Sequence, residues 1–169
     1  MDIFGRYYRL SEETAARISR GEAAVKEYVL GGGASADSSC ALNIHKSWQV
    51  IHFVLTSGCE AAGSDIVLSK AVLSDVFINN EDLGFGPAMI TSRNEVERIS
   101  SLLDEISKSD FRDMFDFQNM LRKDIYSVNK AESESVFFEY IWEHFNSVKN
   151  FYREAAASGQ CAVFFLSSV

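Results

Sequence analysis

The last nine residues, CAVFFLSSV, constrain the fold more than any other segment, because they read as a strand too apolar to lie exposed. Just before them a long amphipathic helix runs from about Ser133 to Ala157 and is stopped by Gly159. On that helix Phe137, Ile141, Phe145, Val148 and Tyr152 form one stripe, widened by Phe138 and Trp142, which is the signature of a core face. The terminal strand must be covered, and the opposite end of the chain offers a partner. In DIFGRYYRL the aromatic residues are dense, and Phe4 and Tyr8 share a face at the two-residue period. The two ends are expected to pair in one sheet, so that neither leaves an apolar edge exposed.

Between these ends the chain reads mainly as helix. Ser11 caps a helix that starts with Glu12 and Glu13 and ends near Gly21, and a short helix, EAAVKEYVL, runs into the flexible stretch GGGASADSS. A helix over LNIHKSWQVIHFVLTSG, a loop with Gly58 and Gly63, and a short helix over DIVLSKAVLSD follow. In LGFGPAMIT the glycines and Pro87 mark a turn feeding a strand. Ser92 caps the next helix, in which Val96, Ile99, Leu102, Leu103 and Ile106 repeat at helical spacing, and SDFRDMFDFQNMLRK continues as one or two short helices. The expected whole is an α/β, helix-rich single domain spanning 1–169, with a small sheet built from the two ends and the middle. A chain of 169 residues is long enough for one sizeable core.

Composition narrows the partners. The net charge of −8, with acids spread along the chain, opposes non-specific binding to nucleic acid or anionic membranes and suits a basic protein partner. MDIFGRYYRL, with an acid at position 2 and no long apolar run after it, is expected to be neither a signal peptide nor an anchor, and no window approaches the roughly 18 apolar residues of a membrane span. Cys40, Cys59 and Cys161 are odd in number, far apart and without a CxxC, which fits a reducing cytoplasm. No cofactor is implied, and oligomeric state is not legible.

The stretch from Leu42 to Gly58 holds the candidate site residues. On a helical wheel Ile44, Trp48, Ile51 and Leu55 share the core-facing stripe, His45 and His52 lie at its edge, and Thr56 sits one turn beyond His52. Lys46 and Phe53 point away. Any site would therefore lie on the flank, with Trp48 as its apolar floor. Metal binding is disfavoured, since His45 and His52 stand seven residues apart, about 10 Å along a helix, where one ion needs the i, i+4 spacing. A nucleophilic pair of Cys59 with His52 requires the chain to fold back. On the long helix Glu132, Glu134, Glu139 and Glu143 read as a solvated face, with Glu139 and Glu143 placed to meet a basic partner, and His144 reads as a bystander.

LNIHKSWQVIHFVLTSG, LSKAVLSD, GFGPAMITSRNEVERISSLLDEISKSDFRDMFD, Met120 with DIY, and FNSVKNFYREAAASGQCAVFFL occur in the order seen in the YfbM-like family of bacterial proteins, and the chain resembles that family over its full length. The family's helix motif falls on Lys46, Trp48, His52, Phe53, Leu55 and Thr56. This chain inserts Ser57 before Gly58, carries Asn43 where the family pattern often has an acid, and has Ser127 where that pattern often has a proline after Ile-Tyr. The resemblance implies an α/β fold with a mixed sheet and surrounding helices. It implies no reaction, but adds weight to His52 and Trp48 as ligand contacts.

Two functional readings follow. One is a non-catalytic acidic binding module, immunity-like toward a basic partner. The other is a small-molecule-binding protein or enzyme with a pocket near His52, Trp48 and Thr56, bordered by Lys46, in which the histidine serves as acid or base.

Overall fold

The computed structural model describes residues 1–31, 36–57 and 65–168. The glycine-rich loop therefore lies partly outside the described residues, and the loop with Gly58, Cys59 and Gly63 wholly outside them.

Five strands form one sheet: β1 (Phe4–Leu10), β2 (Ala41–His45), β3 (Phe77–Asp82), β4 (Pro87–Thr91) and β5 (Cys161–Ser167), in the order β2-β1-β5-β4-β3. The two ends of the chain pair along their whole length, Phe4 opposite Ser167 through Leu10 opposite Cys161. Every pairing is antiparallel, which replaces the mixed sheet implied by the family resemblance. Strand β5 is apolar throughout because it is central and covered on both faces. Ala162 and Phe164 join the larger core, while Cys161, Val163 and Phe165 join the smaller one on the other side.

Among the described residues the helices are α1 (Glu12–Ser19), α2 (Lys26–Val29), α3 (Trp48–Ser57), α4 (Asp65–Ser69), α5 (Arg93–Asp104), α6 (Lys108–Met114), α7 (Phe117–Arg122) and α8 (Glu134–Ala157), with a 3₁₀ turn at Ser38–Cys40. Helix starts obey local chemistry. The Ser11 side chain accepts from the Thr14 amide, and Ser92 with Glu95 and Ser107 with Asp110 close reciprocal capping boxes. Helices α3, α5 and α8 cover the sheet face that carries Tyr7, and the expected α8 stripe of Phe137, Ile141, Phe145, Val148 and Tyr152 is buried there. Helices α1 and α2 cover the other face, over Tyr8 and Leu10. Among the described residues no helix is long and apolar enough to cross a membrane.

The helices expected over EAAVKEYVL and DIVLSKAVLSD are shorter, Lys26–Val29 and Asp65–Ser69, and two other segments differ in kind. Residues 41–45 are strand, and the helix starts at Trp48 instead of near Leu42. Strand β3, FINNED, was not anticipated. It is a polar edge strand, where few side chains need cover and β-propensity is a weak guide. Gly5 explains how closely α3 sits on β1: a Cβ added there would stand 2.6 Å from the Trp48 Cβ and 3.0 Å from the Phe164 ring. Only glycine admits the first turn of α3 at that distance.

Candidate functional site

The corner between β2 and α3 is built by side chains that bond their own backbone. The Asn43 side-chain oxygen accepts from the His45 amide at 2.8 Å, and the buried Ser47 hydroxyl donates to the Ile44 carbonyl at 2.6 Å. Between them His45 adopts a left-handed backbone, φ 49°. The segment after α7 docks against this corner. Gln49 accepts the Tyr126 amide at 2.9 Å, the Ser127 hydroxyl donates to the Lys46 carbonyl at 3.1 Å, and the Tyr126 hydroxyl accepts the Ile3 amide at 2.9 Å. Asp124 and Ser127 are also left-handed, at φ 52° and 72°. Among the described residues these three are the non-glycines with positive φ, each costing of order 1 kcal/mol. All three lie in the two segments that meet here.

Between these segments and the first turns of α8 lies an open recess of about 430 Å³, lined by Lys46, Ser127, Asn129, Glu132, Val136, Phe137 and Tyr140. Its floor is apolar and accessible: Val136 is 66% exposed and Tyr140 36%, whereas Phe137 is buried beneath them. An aromatic row continues from it. Tyr140 meets His144 edge-on at 4.6 Å between ring centroids, His144 lies 5.6 Å from His45, and His45 meets Phe4 at 5.2 Å. His144, read from the sequence as a bystander, touches Tyr140 but does not itself line the recess.

Most polar groups of the recess are already engaged. The Lys46 ammonium is 2.7 Å from Asp2, which raises its pKa, the Ser127 hydroxyl is donated, and the Asn129 side-chain oxygen accepts from Ala131. The Glu132 carboxylate forms no ion pair or side-chain hydrogen bond among the described residues. Burial pushes the Tyr140 phenol up; the neighbouring Lys46 opposes the shift and Glu132 adds to it. Burial pushes the His144 imidazole down, His45 adds to that, and Glu143 opposes it. The recess therefore offers an aromatic floor and one free carboxylate.

The four residues singled out in the sequence are not brought to one place. Lys46 lines the recess. Trp48 is half-buried at the start of α3, its indole N–H donating to the Ile3 carbonyl at 3.2 Å and its ring 6.0 Å from Tyr126. It packs at the edge of the main core rather than inside it. His52 points toward α4, where it hydrogen-bonds the Ser69 backbone; burial holds its pKa below the usual histidine value, and Nδ1 is buried with no hydrogen-bond partner among the described residues. The Thr56 hydroxyl donates to the carbonyls of His52 and Phe53 at 2.8 and 3.2 Å. The Cys59 half of the Cys59–His52 pair lies outside the described residues. Glu139 is engaged by Lys108 at 2.7 Å, so of the acids expected to meet a partner it is already committed. Among the described residues no group of three or more His, Cys, Asp or Glu is placed to hold a metal ion.

Sequence reasoning missed Glu132, Val136 and Tyr140 as one site. The available signal was that Val136 and Tyr140, four apart, share a flank beside the core stripe of α8.

Comparison with known proteins agrees with this architecture. The chain superposes on the crystal structure of YfbM from Escherichia coli, a protein of unknown function, with a TM-score of 0.71 and 22% identity, covering 97% of this chain and 99% of that one. At that identity the likeness speaks for the fold. No curated protein matches the chain. The model of a domain of unknown function, DUF1877, matches residues 1–165, and the chain belongs to that family.

Proposed function

We propose that this protein is a non-catalytic binding module that receives a basic side chain of a protein partner in the recess between Lys46 and Tyr140, as an immunity-type neutraliser does. The observation that carries this reading is the unpaired Glu132 carboxylate beside the exposed Val136 and Tyr140 in one open recess. A lysine or arginine has the matching chemistry: an apolar stem for Val136 and the ring of Tyr140, and a charged head for Glu132. The net charge of −8 favours the approach of such a partner. The alternative of a small-molecule pocket centred on His52, Trp48 and Thr56 has less support, because the Thr56 hydroxyl and the Trp48 indole are both spent on backbone carbonyls.

The test is surface plasmon resonance against an array of lysine- and arginine-rich peptides at low and moderate salt. The wild-type chain should retain a subset, and Glu132→Gln and Tyr140→Ala should each weaken retention about tenfold, the size of one desolvated cation contact of roughly 1.4 kcal/mol. Glu27→Gln, an exposed acid on α2, serves as control. Binding that is absent, or equal in all three variants, refutes the reading.

A further inference from the structure

A second recess, of about 280 Å³, opens on the opposite face of the sheet, lined by Arg6, Tyr8, Tyr28, Asp37, Ser38 and Ala41 among others. Arg6 and Tyr8 alternate with Tyr7 along β1 and so face away from α8. In an acidic protein most buried or half-buried cations find an acid. Arg9 reaches Glu154, Lys70 reaches Glu95 and Asp75, and Lys46 reaches Asp2. Arg17 and Arg98, which reach none, are exposed to water. Arg6 is different. It is half-buried and makes neither an ion pair nor a hydrogen bond among the described residues; its Nε is buried without a partner there, as is that of Arg9, but Arg9 places its outer nitrogens on Gln160, Ser39 and Glu154 while Arg6 places none.

Its surroundings are donors. The Tyr8 oxygen accepts the Asp37 amide at 2.7 Å, which leaves its own O–H to give. The hydroxyls of Tyr28 and Ser38 make no hydrogen bond among the described residues. The one acid in the lining, Asp37, has its carboxylate turned to the amide and hydroxyl of Ser39, at 2.9 and 2.7 Å, and to the Cys40 thiol. A guanidinium taken partly out of water without an acceptor is an unbalanced cost, and its planar fork matches the geometry of a carboxylate or a phosphate.

We infer that this recess is an oxyanion site, with Arg6 as the countercharge for the carboxylate or phosphate group of a small molecule. The anion meets the outer nitrogens of Arg6, a small rotation of the guanidinium gives Nε its missing acceptor, and the hydroxyls of Tyr8, Tyr28 and Ser38 complete the donor set. At about 280 Å³ the space suits the anionic group with a small body attached. The site lies across the sheet from the Glu132 recess and has the opposite charge preference, so it stands independently of the reading proposed above.

The experiment is a set of thermal melts of the full chain with inorganic phosphate, phenyl phosphate or benzoate, each against chloride at equal ionic strength. A saturable rise in Tm with at least one oxyanion is expected, and the arm that gives it distinguishes phosphate from carboxylate. Arg6→Gln should abolish the rise, Arg6→Lys should weaken binding about tenfold by removing the fork, and Asp37→Asn should tighten it. Arg17→Gln should match wild type. In case Arg6→Gln fails to fold, the amide resonances of wild-type Arg6, Tyr28 and Ser38 should shift together with one midpoint during the same titration. No rise above chloride, a rise that survives Arg6→Gln, or resonance shifts scattered over exposed lysines and arginines overturns the proposal.

Discussion

The carbonyl of Ala71 is the most testable point of the main core. It is fully buried, and two phenols from distant parts of the chain donate to it: Tyr7 of β1 at 2.6 Å and Tyr152 of α8 at 2.9 Å. Both tyrosines are 1% exposed, and burial raises the pKa of each, which keeps both protonated as donors. No other donor to this oxygen is present among the described residues. The arrangement ties the sheet, α8 and the segment after α4 at one atom. Tyr7→Phe or Tyr152→Phe alone removes one neutral hydrogen bond, a net loss of about 1 kcal/mol, since the carbonyl keeps its other donor. The double substitution removes both and also strands the carbonyl in an apolar interior, adding roughly 1 to 3 kcal/mol of uncompensated desolvation. The total, about 4 kcal/mol, exceeds twice the single loss. With an m-value of about 2 kcal/mol/M, the urea midpoint should fall by roughly 0.5 M in each single variant and 2 M in the double. Urea melts followed by circular dichroism close the double-mutant cycle. Losses that add to within about 0.5 kcal/mol would refute the shared-acceptor argument.

Gly5→Ala should destabilise by about 3 kcal/mol, because its Cβ meets the Trp48 Cβ at 2.6 Å in a packed interface; a chemical melt unchanged from wild type would show that α3 moves away freely. Trp48→Phe should cost about 1 kcal/mol through the lost donation to Ile3, and Trp48→Ala about 3 kcal/mol, below the full core value because the ring is half-buried; equal losses in the two melts would contradict this division. His52 has a folded-state pKa depressed by burial, so the unfolded chain binds the proton more readily: its contribution to stability is complete above the unfolded value, near 6.5, and is lost as the pH falls toward the folded one. Thermal melts from pH 7.5 to pH 5 should therefore show a smaller acid loss for His52→Gln than for wild type, and identical slopes would remove His52 from that balance.

The parts of the fold that could be read in advance are those where one period alone fits the residues. CAVFFLS is apolar at every position, a pattern that suits a strand covered on both faces, and the α5 and α8 stripes repeat only at helical spacing. Residues 42–48 are ambiguous for a specific reason. Ile44 and Trp48 stand four apart, a spacing that puts two residues on one side of a helix and also on one side of a strand. The deciding features are polar: Asn43 and Ser47, whose side chains bond the backbone at the corner and compete with the helix. Their weight against an apolar pattern shows only when the partners of their hydrogen bonds are known. The Glu132 recess was illegible for a different reason, since its lining comes from residue 46 and from residues 127–140, and no local period relates segments so far apart.

Ser127 links the family pattern to the shape of that recess. Where the pattern that this chain resembles often has a proline after Ile-Tyr, this chain has a serine with φ 72°. The pyrrolidine ring holds φ near −65°, so a proline at this position is incompatible with the backbone seen here. The serine also supplies the hydroxyl that donates to the Lys46 carbonyl, which a proline lacks. Conformation and contact are thus both properties of this residue, and together they hold the 124–132 segment against the β2–α3 corner. A Ser127→Pro substitution would force a different loop path here and remove the bond to Lys46. Residue 127 is therefore a point at which the wall of this recess depends on the identity of a single side chain.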